Sequence, residues 1–240
     1  MKETFFSAAR RILYPARCPG CDGLLPGHIS GQTFCDTCIS QIRPVSGKVC
    51  LRCGKPVVSV KRDLCRDCED ADRTIIQGRS AFIYTGPMKT AMYRLKYSGR
   101  RVYAATLARQ AYELRGDWLR QIGADVIVPI PMYDKKKRQR GYNQAEEFAK
   151  ALSELMSVPV EADFLKRIKN TVPQKGLDRQ NRQKNLKNAF KIRKSSVKFK
   201  CVLLVDDIYT TGTTIDEAAR VLAEGIGCRV YSFCICVGAD

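Results

Sequence analysis

The chain has 240 residues, of which 45% are hydrophobic, enough to form a packed core in one or two domains of ordinary size. No apolar run approaches the roughly 18 residues that a membrane-spanning helix needs, and residues 1–6 include Glu3 and no apolar stretch typical of a secretory signal. We therefore expect a cytoplasmic protein with no membrane span, and neither an integral membrane protein nor a secreted one.

Basic side chains outnumber acidic ones by 42 to 24, which gives a formal charge of +18. The excess is concentrated in residues 131–200, which carry 19 basic and 7 acidic groups, whereas residues 201–240 carry 2 and 6. A positive field of this kind attracts polyanions, so the pattern predicts a phosphate-rich partner such as a nucleic acid, a nucleotide or a sugar phosphate. The alternative interpretation is a surface that only keeps the protein soluble.

Eight of the twelve cysteines form four C-x-x-C pairs within the first 68 residues. These residues are Cys18, Cys21, Cys35, Cys38, Cys50, Cys53, Cys65 and Cys68. Two such pairs supply the four thiolates of a tetrahedral zinc site, so the spacing predicts two structural Zn²⁺ ions in a reducing compartment. An iron–sulfur cluster is the less favoured alternative. Sequential pairing of neighbouring C-x-x-C units is preferred, and crossed pairing stays open.

From about residue 75 the pattern alternates between apolar strands and amphipathic helices. It predicts strands at residues 80–85, 126–131, 202–205 and 228–237, and helices around residues 104–111, 143–152 and 215–222. Asn143 is the expected N-cap of the second helix, and Gly225 and Gly227 are expected to end the third. Such alternation indicates an α/β fold, a Rossmann-like parallel sheet covered by helices on both faces.

Residues 202–214, VLLVDDIYTTGTT, are the segment most indicative of chemistry. An apolar strand is followed by Asp206 and Asp207, then by a loop of threonines around Gly212, then by a helix. Amides at a helix N-terminus suit a phosphate, and two adjacent carboxylates suit ribose hydroxyls, bound directly or through Mg²⁺. The segment therefore predicts a ribose 5-phosphate site. The alternative is a structural turn with two solvated aspartates.

This segment resembles the ribose-phosphate signature of type I phosphoribosyltransferases. The VPIP run at residues 128–131, RGYNQ at residues 140–144 and LKYSGR at residues 95–100 narrow the resemblance to the ComF family, whose members join a double zinc ribbon to a phosphoribosyltransferase-like domain. The resemblance spans nearly the whole chain. It implies a zinc-ribbon domain at residues 1–72, a phosphoribosyltransferase-like domain at residues 73–240, and an association of some members with natural competence and DNA uptake.

The resemblance also implies roles for individual residues. Asp206 and Asp207 would contact ribose and Mg²⁺ and act as the catalytic pair, and the 5-phosphate loop would consist of Thr210, Thr211, Gly212, Thr213 and Thr214. The leaving diphosphate would be neutralised by Lys135, Lys136, Lys137, Arg138 and Arg140. A mobile loop at residues 170–188 would contribute Gln174, Arg179, Arg182 and Asn185. The implied ligand is phosphoribosyl diphosphate with Mg²⁺.

Two functions follow from this interpretation. The first is an Mg²⁺-dependent transferase with an unidentified acceptor, for which the single histidine, His28, is no obstacle because orientation and charge neutralisation can supply the catalysis. The second is a non-catalytic accessory protein of DNA uptake that binds single-stranded DNA or a helicase. We expect the remaining four cysteines to be buried structural thiols: Cys201, Cys228, Cys234 and Cys236.

Overall fold

A computed structural model describes residues 15–25, 33–57, 59, 61–71, 73–169, 188–193 and 198–238. His28 and the four polar candidates at residues 170–188, namely Gln174, Arg179, Arg182 and Asn185, lie outside the described residues. None of the described helices is both long and apolar enough to cross a bilayer.

Four parallel strands form the centre of the fold. They are β1 (Gln77–Ile83), β2 (Val126–Pro129), β5 (Cys201–Tyr209) and β6 (Arg229–Val237). Their order in the sheet is β1-β6-β5-β2, and each adjacent pair is parallel. Most of their residues are buried on both faces, as their apolar composition requires. The predicted α/β parallel sheet is therefore confirmed.

Helices cover both faces of this sheet. They are α3 (Gly86–Tyr97), α4 (Tyr103–Gln121), α5 (Asp134–Arg140), α6 (Gln144–Met156) and α7 (Thr213–Ile226). Leu107 of α4 and Phe148 of α6 pack on one face with Phe233 of β6, whereas Ala218 and Leu222 of α7 pack on the other. Asn143 caps α6 as predicted, since its side chain accepts a hydrogen bond from the Ala145 amide at 3.1 Å.

Several elements differ from the expectation. The strand predicted at residues 202–205 continues to Tyr209, so both aspartates belong to β5. Helix α3 was not predicted, although Pro87 in its first turn and buried residues at three- and four-residue spacing are a readable signal. The short antiparallel pair β3 (Leu165–Arg167) and β4 (Phe190–Ile192) was also missed, because three-residue strands leave almost no periodicity in the sequence.

The cysteine-rich segment contains two short helices, α1 (Asp36–Ile39) and α2 (Arg66–Glu69), each beginning directly after a cysteine. This segment packs on the sheet. Cys18 and Cys38 belong to the core on the α6 side, and Cys50 and Cys65 to the core on the α7 side. The division at residue 72 stays a prediction, and the structure adds that the two parts bury their apolar groups together.

The four cysteines outside the pairs are buried as expected, none of them more than 7% exposed. The period of two would place Cys234 and Cys236 on one face of β6. Cys234 belongs to the hydrophobic cluster on the α7 side and Cys236 to the cluster on the α6 side. The register of β6 with β1 and β5 is unbroken through both residues, so their shared face stays a prediction.

Candidate ribose-phosphate site

Asp207 is fixed by side chains from two different helices. Its Oδ2 accepts a hydrogen bond from Gln144 Nε2 at 2.6 Å and lies 2.9 Å from Lys96 Nζ. The residue is only 5% exposed. Burial alone would lower the pKa of Lys96, but the charge of Asp207 raises it above its ordinary value. The lysine is therefore protonated at neutral pH and balances the charge of the buried carboxylate.

Asp206 lies beside it at the carboxyl end of β5. Its Oδ1 accepts a hydrogen bond from the Asp207 amide at 2.8 Å. Burial raises the pKa of Asp206 to about 7, and the negative charge of Asp207 adds to the rise, while Lys96 and Arg167 act in the opposite direction. An added positive charge beside Asp206 would lower the pKa of this carboxyl, because such a charge favours its ionised form.

The two carboxylates form a donor set that suits Mg²⁺. The hydrogen bonds described for Asp207 both fall on Oδ2, and the one described for Asp206 falls on Oδ1. Among the described residues, one oxygen of each carboxylate is thus left without a hydrogen-bond donor. Carboxylate oxygens are the ligands that Mg²⁺ prefers, usually one or two from the protein together with water and substrate oxygens.

The threonine loop, residues 210–214, follows β5 and includes the first two residues of α7, Thr213 and Thr214. Gly212 has a φ of +79°, and a Cβ at this position would lie 2.1 Å from Tyr209 Oη, so only glycine fits. Thr211 Oγ1 and Thr213 Oγ1 are 2.8 Å apart, within hydrogen-bond distance. The first bond of α7 runs from the Asp216 amide to the Gly212 carbonyl. Helix α7 therefore begins directly after Gly212, and a helix N-terminus is an arrangement that suits an anion.

The two motifs quoted above meet at this site. Tyr142 donates its hydroxyl hydrogen bond to the Leu95 carbonyl, which joins the 140–144 motif to the 95–100 motif. Arg140 Nη1 donates to Gln144 Oε1 at 2.7 Å, and Gln144 in turn donates to Asp207. The sequence placed Lys96 and Gln144 in recognisable motifs without a role. Their shared contact with Asp207 supplies that role.

The predicted diphosphate residues lie on a helix, α5, and not in a loop as expected. Lys135 and Arg138 are exposed, and Lys137 pairs with Glu146 at 2.8 Å. Burial lowers the pKa of Lys136, and the charges of Arg167 and Arg140 lower it further, which places these three cations near one another.

Arg167 was not anticipated from the sequence. Burial lowers the pKa of Arg167, and the negative charge of Asp206 counteracts that effect. The guanidinium therefore interacts electrostatically with Asp206. It lies on β3, in a segment with no recognisable motif. Lys136, Arg140 and Arg167 together form what we call the cation cluster.

The eight paired cysteines form two groups: Cys18, Cys21, Cys35 and Cys38, and Cys50, Cys53, Cys65 and Cys68. Within each group the sulfur atoms all lie within 4.8 Å of one another. A tetrahedron with Zn–S bonds of about 2.3 Å has sulfur–sulfur edges of about 3.8 Å. Cys21 and Cys35 Sγ are 3.7 Å apart, and Cys53 and Cys65 Sγ are 3.5 Å apart. Both groups fit a Cys₄ zinc site, and the pairing is sequential.

Comparison with known proteins gives a consistent result. Competence protein F of Haemophilus influenzae is 33% identical over 215 residues, covering 86% of this chain and 90% of its own. The chain belongs to the ComF family. A further member, Competence protein ComFC of Bacillus subtilis, is 30% identical over 218 residues, covering 84% of this chain and 83% of its own. The DNA utilization protein YhgH of Salmonella typhimurium is 27% identical over 215 residues, covering 88% of this chain and 93% of its own.

Two family models match separate parts of this ComF chain. The double zinc ribbon domain matches residues 9–69, and the phosphoribosyl transferase domain matches residues 104–239. Among solved structures, an orotate phosphoribosyltransferase from Aeropyrum pernix is 19% identical at a TM-score of 0.33, covering 58% of this chain and 60% of its own. An adenine phosphoribosyltransferase is 17% identical at a TM-score of 0.37, covering 62% of this chain and 76% of its own.

Proposed function

We propose that this protein binds phosphoribosyl diphosphate, or a related ribose 5-phosphate, together with Mg²⁺ at the carboxyl end of β5. The observation that carries the proposal is the succession, within ten residues, of a fixed acid pair and a glycine-dependent loop that opens a helix. In open α/β sheets, ligands bind beyond the carboxyl ends of the strands. The phosphoribosyl transferase family model over residues 104–239 supports the same assignment.

The residues divide among the parts of the ligand. The amides and hydroxyls of the threonine loop would hold the 5-phosphate. Asp206 and Asp207 would hold the ribose hydroxyls and Mg²⁺. When bound, Mg²⁺ would neutralise negative charge on the diphosphate. The cation cluster would stabilise negative charge on the leaving diphosphate. Lys96 and Gln144 would orient Asp207, so that its position does not have to change when the ligand arrives.

Calorimetric titration of phosphoribosyl diphosphate in the presence of Mg²⁺ tests the site. We expect saturable binding by the native chain and a loss of at least about a hundredfold in affinity when Asp206→Asn and Asp207→Asn are combined. Asp163→Asn, which changes an exposed aspartate on the β3 side, is the matched control. Equal affinity in the double variant and the native chain would remove the carboxylates from the site.

Transfer to an acceptor is tested separately, by diphosphate release across a panel of nucleobases and amines. Catalysis predicts release with at least one acceptor, and release that depends on Asp206. Binding without release across the panel would support a protein that senses or stores the ligand.

A second function is favoured by the surface charge. None of the residues of α5 is buried, and the helix carries five basic side chains. Two relatives are named for competence and one for DNA utilization, which supports a role in handling DNA. We propose single-stranded DNA as the polyanion bound here, with a helicase of DNA uptake as a predicted protein partner.

Affinity for an oligonucleotide should fall linearly with salt on logarithmic axes, and Lys135→Gln with Arg138→Gln should reduce the slope by about 1 to 2.

A further inference from the structure

Arg73 connects three separate parts of the chain through one buried guanidinium. Its Nη2 donates to the Asp67 carbonyl at 3.0 Å and to the Thr211 carbonyl at 2.8 Å, and its Nη1 donates to Asp216 Oδ2 at 2.5 Å. The residue is 6% exposed. Burial alone would lower the pKa of Arg73, but the neighbouring Tyr209 and Asp216 raise it, so the guanidinium stays charged.

One end of this connection is the second zinc site. Asp67 lies in α2 between the ligands Cys65 and Cys68, and its carboxylate also pairs with Lys55 at 2.9 Å. Lys55 is itself buried, at 4% exposure. The backbone of Asp67 is therefore flanked in sequence by two zinc ligands, and its side chain is fixed by an ion pair. This makes it a rigid point of attachment.

The other end is the threonine loop. Arg73 holds the Thr211 carbonyl before Gly212 and the Asp216 carboxylate in the first turn of α7, so it fixes both sides of the left-handed residue. A Cβ at Gly212 would lie 3.0 Å from Arg73 Nη1, which shows how closely the guanidinium packs against the loop. Both Nη atoms are engaged by protein oxygens. Arg73 thus supports the loop through contacts on both sides of Gly212.

We propose that Arg73 is a positioning residue through which the zinc site at Cys50, Cys53, Cys65 and Cys68 fixes the threonine loop in its anion-binding conformation. The consequence for ligand binding rests on the proposed function. The consequence for the loop itself does not, because it concerns only the conformation of residues 210–216. Zinc at this site then contributes to affinity for a sugar phosphate more than 100 residues away in sequence, with no contact to the ligand.

The test compares Arg73→Lys with Arg94→Lys in the full zinc-loaded chain. Arg94 makes the same kind of contact with the first zinc site, donating to the carbonyls of Pro19 and Gly20 at 3.1 and 2.5 Å, and does not contact the loop. Lysine keeps the charge and loses the fork that reaches several acceptors at once. Amide hydrogen exchange of the peptide spanning residues 209–217 is measured first, and phosphoribosyl diphosphate titration with Mg²⁺ second.

We expect Arg73→Lys to speed exchange in residues 209–217 and to weaken the ligand by about tenfold or more, with two zinc ions per chain retained. Arg94→Lys should change neither. Unchanged exchange in Arg73→Lys, or an equal change in Arg94→Lys, overturns the inference. If the native chain binds no phosphoribosyl diphosphate, the proposed function fails while the exchange comparison still decides the role of Arg73. Should Arg73→Lys lose zinc, Asp216→Asn makes the same exchange test from the loop side.

Discussion

Lys96 and Asp207 form an ion pair of 2.9 Å in which the aspartate side chain is buried and the lysine side chain is 20% exposed. The pair joins α3 to the end of β5, so the sequence motif at residues 95–100 contributes directly to the acid pair. Because a charge at this depth is costly without its partner, the pair is a structural feature of the candidate site.

Lys96→Met should destabilise the fold by about 3 kcal/mol, since among the described residues it leaves the buried Asp207 side chain with Gln144 as its single donor. Urea unfolding at pH 7 measures the change. Lys89→Met, an exposed lysine on the same helix, is the control and should cost no more than about 0.5 kcal/mol. The same midpoint for both variants would mean that Asp207 does not depend on Lys96.

Gly212→Ala should be far more damaging than Gly227→Ala, although both glycines have positive φ and flank the same helix. At Gly227 nothing lies within 4 Å of an added Cβ, so the cost is the left-handed backbone alone, about 1 kcal/mol. At Gly212 the methyl group would collide with Tyr209, so we expect about 3 kcal/mol or more and loss of sugar-phosphate binding. Thermal melting and calorimetry measure both effects, and equal melting temperatures would contradict the clash.

Arg167→Gln should distinguish protein contacts with the diphosphate from contacts with the ribose 5-phosphate. If the cation cluster faces the diphosphate, this variant weakens phosphoribosyl diphosphate by about tenfold or more and leaves ribose 5-phosphate affinity unchanged. Lys166→Gln, the exposed neighbour on β3, is the control and should affect neither. A parallel loss for both ligands would place Arg167 at the ribose or the 5-phosphate instead.

The cysteines should react with a thiol reagent in two distinct groups of eight and four. The eight zinc ligands should react only after a chelator removes the metal. The four cysteines outside the C-x-x-C pairs should not react until guanidinium chloride unfolds the chain, and then all twelve should react. Burial raises the pKa of Cys228 to about 11, so this thiol remains neutral, and raising the pH from 7 to 9 should not expose it to the reagent. More than eight reactive thiols in the folded, chelated chain would contradict this assignment.

Much of the site could be predicted from local sequence. The zinc ligands and the strand, acid pair and threonine loop are each contained in a short continuous segment, and their chemistry depends on residue type and spacing. The sequence could not assign partners to Asp207, because Lys96 and Gln144 lie in different helices that meet only after the sheet forms. Nor could it find Arg167, which lies on a three-residue strand with no periodic signal.

The amino-acid order alone determined the α/β alternation, the two sets of zinc ligands and the identity of the acid pair, because hydrophobic period and C-x-x-C spacing are local properties. Only the tertiary structure decided that the zinc sites pair sequentially, that their cysteines share the core with the sheet, and that Arg73 bridges Asp67 and Thr211. Contacts of this kind depend on how buried surfaces fit together across the fold, and no local pattern encodes them.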